Sequence, residues 1–171
     1  MPMTADQPIT TEAGDQFGIV ENTSNNFRAI VHFLAELPLY AQLPLYRIPD
    51  LDLSLQQGRV MCVRRDGKLA GVAAWTLLSD ELALQCISQR AMPKRAEIVH
   101  TGDAVLLMLL GTSGEGLAAQ LSRAVFAAQT GRIVIYERVQ EGLSPEERFV
   151  WLDRRGMRLG NALAADAGTV H

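Results

Sequence analysis

Between Ala104 and Leu110 the chain reads AVLLMLL, seven apolar residues in succession, and this run limits the fold more than any other stretch. It is far short of the roughly 20 apolar residues a membrane-crossing helix needs. As a strand it is apolar on both faces, so both faces must be covered, which calls for a sheet with helices packed on it. After it come GTSGEG, then LAAQLSRAVFAAQT with Leu117, Leu121, Ala124 and Val125 on one helical face, then Gly131 and the strand-like RIVIY. That order of strand, glycine loop, helix, C-cap glycine and strand predicts a right-handed crossover between parallel strands.

Upstream, RVMCVRR and KLAGVAAWTLL flank Asp66-Gly67, the strongest short-range signal for a β-hairpin. Ser79 caps a following helix whose first turn carries Asp80 and Glu81, where the helix dipole favours acids. Phe27, Ile30, Val31 and Leu34 form the stripe of an earlier helix, with Asn25 or Asn26 as its N-cap and Pro38 as its stop. His32 lies off that stripe and faces solvent. Leu37 to Pro49 holds three prolines and two tyrosines, a composition that predicts extended or turning chain. Ser144-Pro145-Glu146-Glu147 is a capping box with proline at the first helical position, opening a last helix that Gly156 ends. The expected fold class is α/β: a single domain with a mixed central sheet, antiparallel at the hairpin, and flanking helices. Residues 1–23, polar and aperiodic, read as a flexible arm, residues 24–160 as the domain, and residues 161–171 as a flexible tail.

A chain of 171 residues buries roughly 70% of its unfolded surface and holds a core without disulfides. Its net charge of −3 and 20% charged residues give no electrostatic footprint for nucleic acid. The basic pairs Arg64-Arg65, Lys94-Arg95 and Arg154-Arg155 read as solvated turns and helix ends. Cys62 and Cys86 lack the spacing of a zinc site, so no metal is expected, and both read as small apolar residues of a reducing compartment. The N-terminus carries acids and no apolar signal-peptide core, and no segment spans a bilayer, so the expected location is cytoplasmic.

Chemistry gathers at the two ends of the apolar run. In GTSGEG, Gly111, Gly114 and Gly116 stand between a strand and a helix N-terminus, where backbone N–H groups and the helix dipole suit a phosphate. The spacing resembles the acyl-CoA loop Arg/Gln-x-x-Gly-x-Gly/Ala of N-acetyltransferases, with Gly111 at the first position and Glu115 adding a negative charge. A glycine turn that merely lets helix and strand pack closely explains the same residues. At the other end, His100-Thr101-Gly102-Asp103 brings an imidazole and a carboxylate together, a pairing suited to general-base chemistry, or is an ordinary turn. The motifs of a serine hydrolase, an NTPase and a Rossmann dehydrogenase are all missing.

Several segments from about Phe27 to Tyr136 resemble the RTX toxin-activating lysine acyltransferases. These enzymes move a fatty acyl group from acyl carrier protein to lysines of a protoxin. The matching residues are Pro38-Leu39 with Pro44, the strand GKLAGVAAWTLLSDE against an apolar strand ending Trp-Ala-x-Leu-Ser, and Thr101-Gly102-Asp103 against Ser-Gly-Asp. The resemblance implies a fold like the GCN5-related N-acetyltransferases (GNAT), in agreement with the element order above.

It also implies a catalytic role for Asp103, which matches the family's aspartate. Tyr40 stands where the family has its catalytic histidine. With an unperturbed pKa of about 10 a tyrosine is a poor base at neutral pH, but it donates a hydrogen bond to an oxyanion. His100 is the alternative base, and the family's acidic segment after the central strand is replaced by Leu109, Leu110 and GTSGEG. Trp75 joins Gly111, Gly114 and Gly116 as a candidate contact for the acyl donor. The co-substrate expected is acyl-acyl carrier protein or acyl-CoA, with no tightly bound cofactor. The implied partners are acyl carrier protein, an RTX-type protein substrate and a second copy in a homodimer. Two other readings stay open: a catalytically impaired pseudoenzyme of the same fold, and an acetyl-CoA-dependent N-acetyltransferase.

Overall fold

The computed structural model describes residues 9–10, 14–38, 47–137, 142 and 144–152. Its elements run β1 (Ile9–Thr10), β2 (Gln16–Ile19), α1 (Ser24–Glu36), α2 (Arg47–Gln56), β3 (Val60–Arg65), β4 (Lys68–Leu78), α3 (Asp80–Gln89), β5 (Ala104–Thr112), α4 (Leu117–Ala128), β6 (Val134–Glu137), α5 (Pro145–Arg148) and β7 (Phe149–Leu152). In the sheet the strands follow the order of the sequence, β1 to β7. The pairs β1–β2, β2–β3, β3–β4 and β6–β7 are antiparallel, and β5–β6 is parallel. The chain forms two compact units, Met1–Ala74 with Leu109–Val125, and Trp75–Met108 with Phe126–His171. Both β4 and β5 pass from one unit into the other.

In the first unit the β3–β4 hairpin turns at Asp66 (φ +52°) and Gly67 (φ +76°). Positive φ at both central residues is the type I′ geometry that matches strand twist. The ladder then slips: Arg64 pairs with Leu69 and Val63 with Gly71, which leaves Ala70 as an extra residue, a β-bulge. The core of this unit joins Val20, Ile30, Phe33 and Leu34, Leu51 and Leu55 of α2, Val60, Val72, Ala74 and Leu109.

The second unit packs Leu78, Ala83 and Cys86 of α3, Ala104, Leu106, Ile135 and Phe149. Val105, Leu106 and Leu107 pair in parallel with Val134, Ile135 and Tyr136, the ladder expected of the strand–helix–strand unit. Ser79 caps α3 by accepting from Leu82 N at 3.2 Å. Both cysteines are free thiols, and burial pushes each thiol's pKa up.

Four expectations are corrected. Residues 14–20 are not an arm: β2 pairs with β3, and Phe17 and Asp15 are buried. Thr23, not Asn25 or Asn26, caps α1, its Oγ1 accepting from Asn26 N at 3.1 Å, while the Asn26 amide donates to Glu21 O. The proline-rich segment ends in a helix, because Pro49 occupies the first turn of α2, where an N–H has no intrahelical partner. The capping box is formed, with Ser144 N donating to Glu147 at 2.8 Å and Glu147 N to Ser144 Oγ at 3.4 Å. Its helix, however, lasts one turn before β7 pairs with β6. Gly156 and residues 161–171 lie outside the described residues. His32 is exposed, 3.3 Å from Glu36.

Candidate functional site

The two candidate clusters stand at opposite ends of β5, one in each unit. At the start of the strand, Gly102 is pressed against the end of β4. A Cβ there would lie 2.0 Å from the Leu78 carbonyl oxygen and 2.7 Å from Ser79 N, and φ is +130°. Only glycine fits such a contact, which explains Thr101-Gly102-Asp103 physically. Two residues earlier His100 adopts φ +59°, a left-handed conformation open to few residues with a side chain. Its Nδ1 lies 2.9 Å from Oγ1 of Thr76, a residue 1% exposed on β4. Asp103 is exposed at the entry to β5, and Trp75 is buried beside Thr76. The structure therefore joins His100 to the β4 strand of the Ala74-Trp75-Thr76 motif, through a residue that the sequence did not single out. Tyr40 lies outside the described residues.

At the far end of β5 the strand runs through Gly111 and Thr112, so Gly111 is a buried strand residue. The bulge on β4 receives this end. Ser113 donates to the Ala70 carbonyl from its backbone N at 2.9 Å and from its hydroxyl at 3.3 Å. A side chain on Gly71 would meet Val63 at 2.8 Å, Thr112 at 2.9 Å and the Gly111 carbonyl at 3.3 Å. The bulged residue's carbonyl and the missing Cβ next to it thus fix the exit of β5.

Gly114 and Gly116 then differ in kind. A Cβ on Gly114 would crowd Leu117 at 3.0 Å and Arg65 Nη1 at 3.3 Å, so this glycine serves packing. Gly116 has φ +75° and no atom within 4 Å of a Cβ position, so it opens α4 with its backbone accessible. One turn into α4 the Gln120 side-chain oxygen is buried without a hydrogen-bond partner among the described residues, although Gln120 N bonds the Gly116 carbonyl at 3.2 Å. An accessible glycine at a helix N-terminus suits an anionic group, and a buried acceptor one turn in suits an N–H donor. Glu115 is exposed.

Arg65, from the end of β3, borders the same turn. Its Nε and Nη2 each donate at 2.8 Å to one oxygen of the buried Asp15, a bidentate pair. The guanidinium holds the Asp15 carboxyl below the usual carboxylate range, and the carboxylate raises the Arg65 pKa in return. Sequence reasoning placed Asp15 in an arm and Arg65 in a solvated turn. The one signal for the pair is that Arg65 closes β3 directly before Asp66-Gly67. Among the described residues no group of His, Cys, Asp and Glu gathers to hold a metal, and no helix is long and apolar enough to cross a membrane.

No protein-family model matches the sequence, and no curated protein does. Solved structures do match in shape. The GphF GNAT-like decarboxylase in complex with isobutyryl-CoA shares 16% identity at a TM-score of 0.56, over 73% of this chain and 67% of that one. The loading GNATL domain of CurA from Lyngbya majuscula shares 11% identity at 0.56, over 76% and 70%. A GNAT-family acetyltransferase from Streptococcus agalactiae shares 16% at 0.53, over 75% and 78%. At these identities the likeness concerns the fold: the chain is an α/β protein with a mixed sheet and the GNAT-like architecture.

Proposed function

We propose that the protein is an acyltransferase that takes an acyl group from a phosphopantetheine thioester and passes it to an amine. The observation that carries this reading is the unit β5–Gly116–α4–β6 within a GNAT-like fold. It pairs a parallel crossover with an open glycine at a helix N-terminus and, on Gln120, a buried acceptor unpaired among the described residues. Acyl carrier protein and coenzyme A both bear such a thioester; we favour acyl carrier protein with a protein lysine, in an RTX-type substrate, as acceptor, because of the Trp75 and Asp103 motifs.

In the reaction the amine nitrogen attacks the thioester carbonyl carbon, negative charge develops on the carbonyl oxygen, and the C–S bond breaks. The thiolate leaves with the proton the nitrogen gives up. Asp103, exposed at the entry to β5, accepts a hydrogen bond from the amine and stabilises the positive charge that grows on it as the C–N bond forms. A phosphate suits Gly116 on the chemistry of the turn, because the N-terminus of α4 favours negative charge.

The test is thiol release from fatty acyl-acyl carrier protein, fatty acyl-CoA and acetyl-CoA, each with and without a lysine-bearing acceptor. Acceptor-dependent release from a fatty acyl donor supports the reading. Release from acetyl-CoA alone transfers it to small-chain N-acetylation, and no release from any donor refutes it.

A further inference from the structure

Thr76 is the polar exception in a strand that otherwise reads GVAAWTLL, and it is 1% exposed. A buried hydroxyl needs a partner for its hydrogen, since no water reaches it. Among the described residues the Thr76 hydroxyl meets Nδ1 of His100, at 2.9 Å. The ring comes to this position from a backbone with φ +59°, and the turn it belongs to is pinned by Gly102 against Leu78 and Ser79. Imidazole placement is thus set from both sides, by the turn and by the strand.

A neutral imidazole has one nitrogen that donates and one that accepts. If Nδ1 carried the hydrogen, it would donate to Oγ1 and leave the Thr76 hydrogen buried and unbonded. If Nδ1 is bare, the hydroxyl donates to it and both groups are satisfied. The second arrangement wins because an unsatisfied buried donor loses its hydration with no return.

We propose that Thr76 is a positioning residue which fixes His100 as the tautomer protonated on Nε2. Whatever the ring meets at Nε2, it then meets as a hydrogen-bond donor. His100 is accordingly not the base that replaces the histidine missing at position 40; in acyl transfer its ring takes part as a hydrogen-bond donor rather than as a proton acceptor. The tautomer stands on geometry alone, whereas its part in acyl transfer rests on the function proposed above.

The test is nitrogen-15 NMR of the histidine rings in the intact protein at alkaline pH, with the His100 signals assigned by their loss in His100→Gln. The expected wild-type spectrum has His100 Nε2 in the protonated, pyrrole-type range and Nδ1 in the bare, pyridine-type range. Thr76→Val, which keeps the shape and removes the hydroxyl, should move both signals toward the averaged values of a mixed tautomer. Thr76→Ser should restore the separation. A wild-type ring protonated on Nδ1, or a Thr76→Val spectrum identical to wild type in a folded protein, overturns the proposal.

Activity separates this result from the functional reading. In an active protein Thr76→Val lowers kcat with little change in KM for the donor, and Thr76→Ser recovers it. If the wild type transfers no acyl group yet shows the locked tautomer, the functional reading fails and the positioning role stands. Transfer by an enzyme whose kcat ignores Thr76→Val removes the catalytic consequence.

Discussion

Replacing Gly102 with alanine tests how the start of β5 is held. The new Cβ would sit 2.0 Å from the Leu78 carbonyl oxygen, 2.4 Å from the Leu78 carbonyl carbon and 2.7 Å from Ser79 N, at a φ of +130°. All three neighbours are backbone atoms, so no rotamer change relieves the contact. Overpacking costs about 1–3 kcal/mol, and a side chain in a sparsely populated backbone region about 1–3 kcal/mol more. The sum is about 2–6 kcal/mol, a large part of the ~5–15 kcal/mol that holds a typical domain together. Gly116→Ala is the matched control: its φ of +75° is also left-handed, but nothing lies within 4 Å. It should lose only the left-handed penalty of about 1–2 kcal/mol. Urea unfolding measures both, and with a slope of about 2 kcal/mol per molar Gly102→Ala should lower the midpoint by about 1–3 M, more than Gly116→Ala does. Equal midpoints for the two variants would refute the close approach of Gly102 to β4.

Two further outcomes follow from buried polar groups. Asp15 has a folded pKa below its unfolded value, so its stabilisation is complete above the usual Asp pKa of about 3.9 and fades as pH falls through the lower folded value. Asp15→Asn should therefore lose stability at neutral pH and show a flatter acid limb, and an acid limb as steep as wild type's would contradict the pair with Arg65. Gln120→Leu removes an acceptor that is buried and unpaired among the described residues, so it should leave the unliganded protein as stable or up to about 1 kcal/mol more stable. Thermal unfolding checks this, and a loss above about 1 kcal/mol would show that the oxygen has a partner.

The elements legible in the sequence are those whose instructions are local. Asp66-Gly67 dictates its own turn, Ser79 caps its own helix, and Ala104 to Tyr136 carries strand, glycine turn, helix and strand in one continuous span. What the sequence hides depends on residues far apart. Phe17 and Asp15 become strand and core only because β3 lies alongside, and the Asp15–Arg65 pair spans 50 positions. Pro49 reads as a helix breaker until the helix start is known to lie two residues before it. β7 is hidden in the sequence because a capping box promises a helix and says nothing of its length. At the candidate site the sequence marked His100, Gly102 and Asp103 but had no means to choose Thr76, since a threonine in an apolar strand suits a sheet with or without a task. Gly114 and Gly116 look alike in the sequence, and only their surroundings divide packing from access.

The central claim is that this GNAT-like fold carries out acyl transfer with Asp103 at the amine. The most direct measurement is intact-mass spectrometry of a lysine-bearing acceptor incubated with fatty acyl-acyl carrier protein and either the wild-type protein or Asp103→Ala. The account predicts a mass increase of one acyl group with wild type, slowed by about 100-fold or more in the variant, as for loss of a group that stabilises transition-state charge. An acceptor left unmodified by the folded wild-type protein, or modified equally fast by Asp103→Ala, would contradict it.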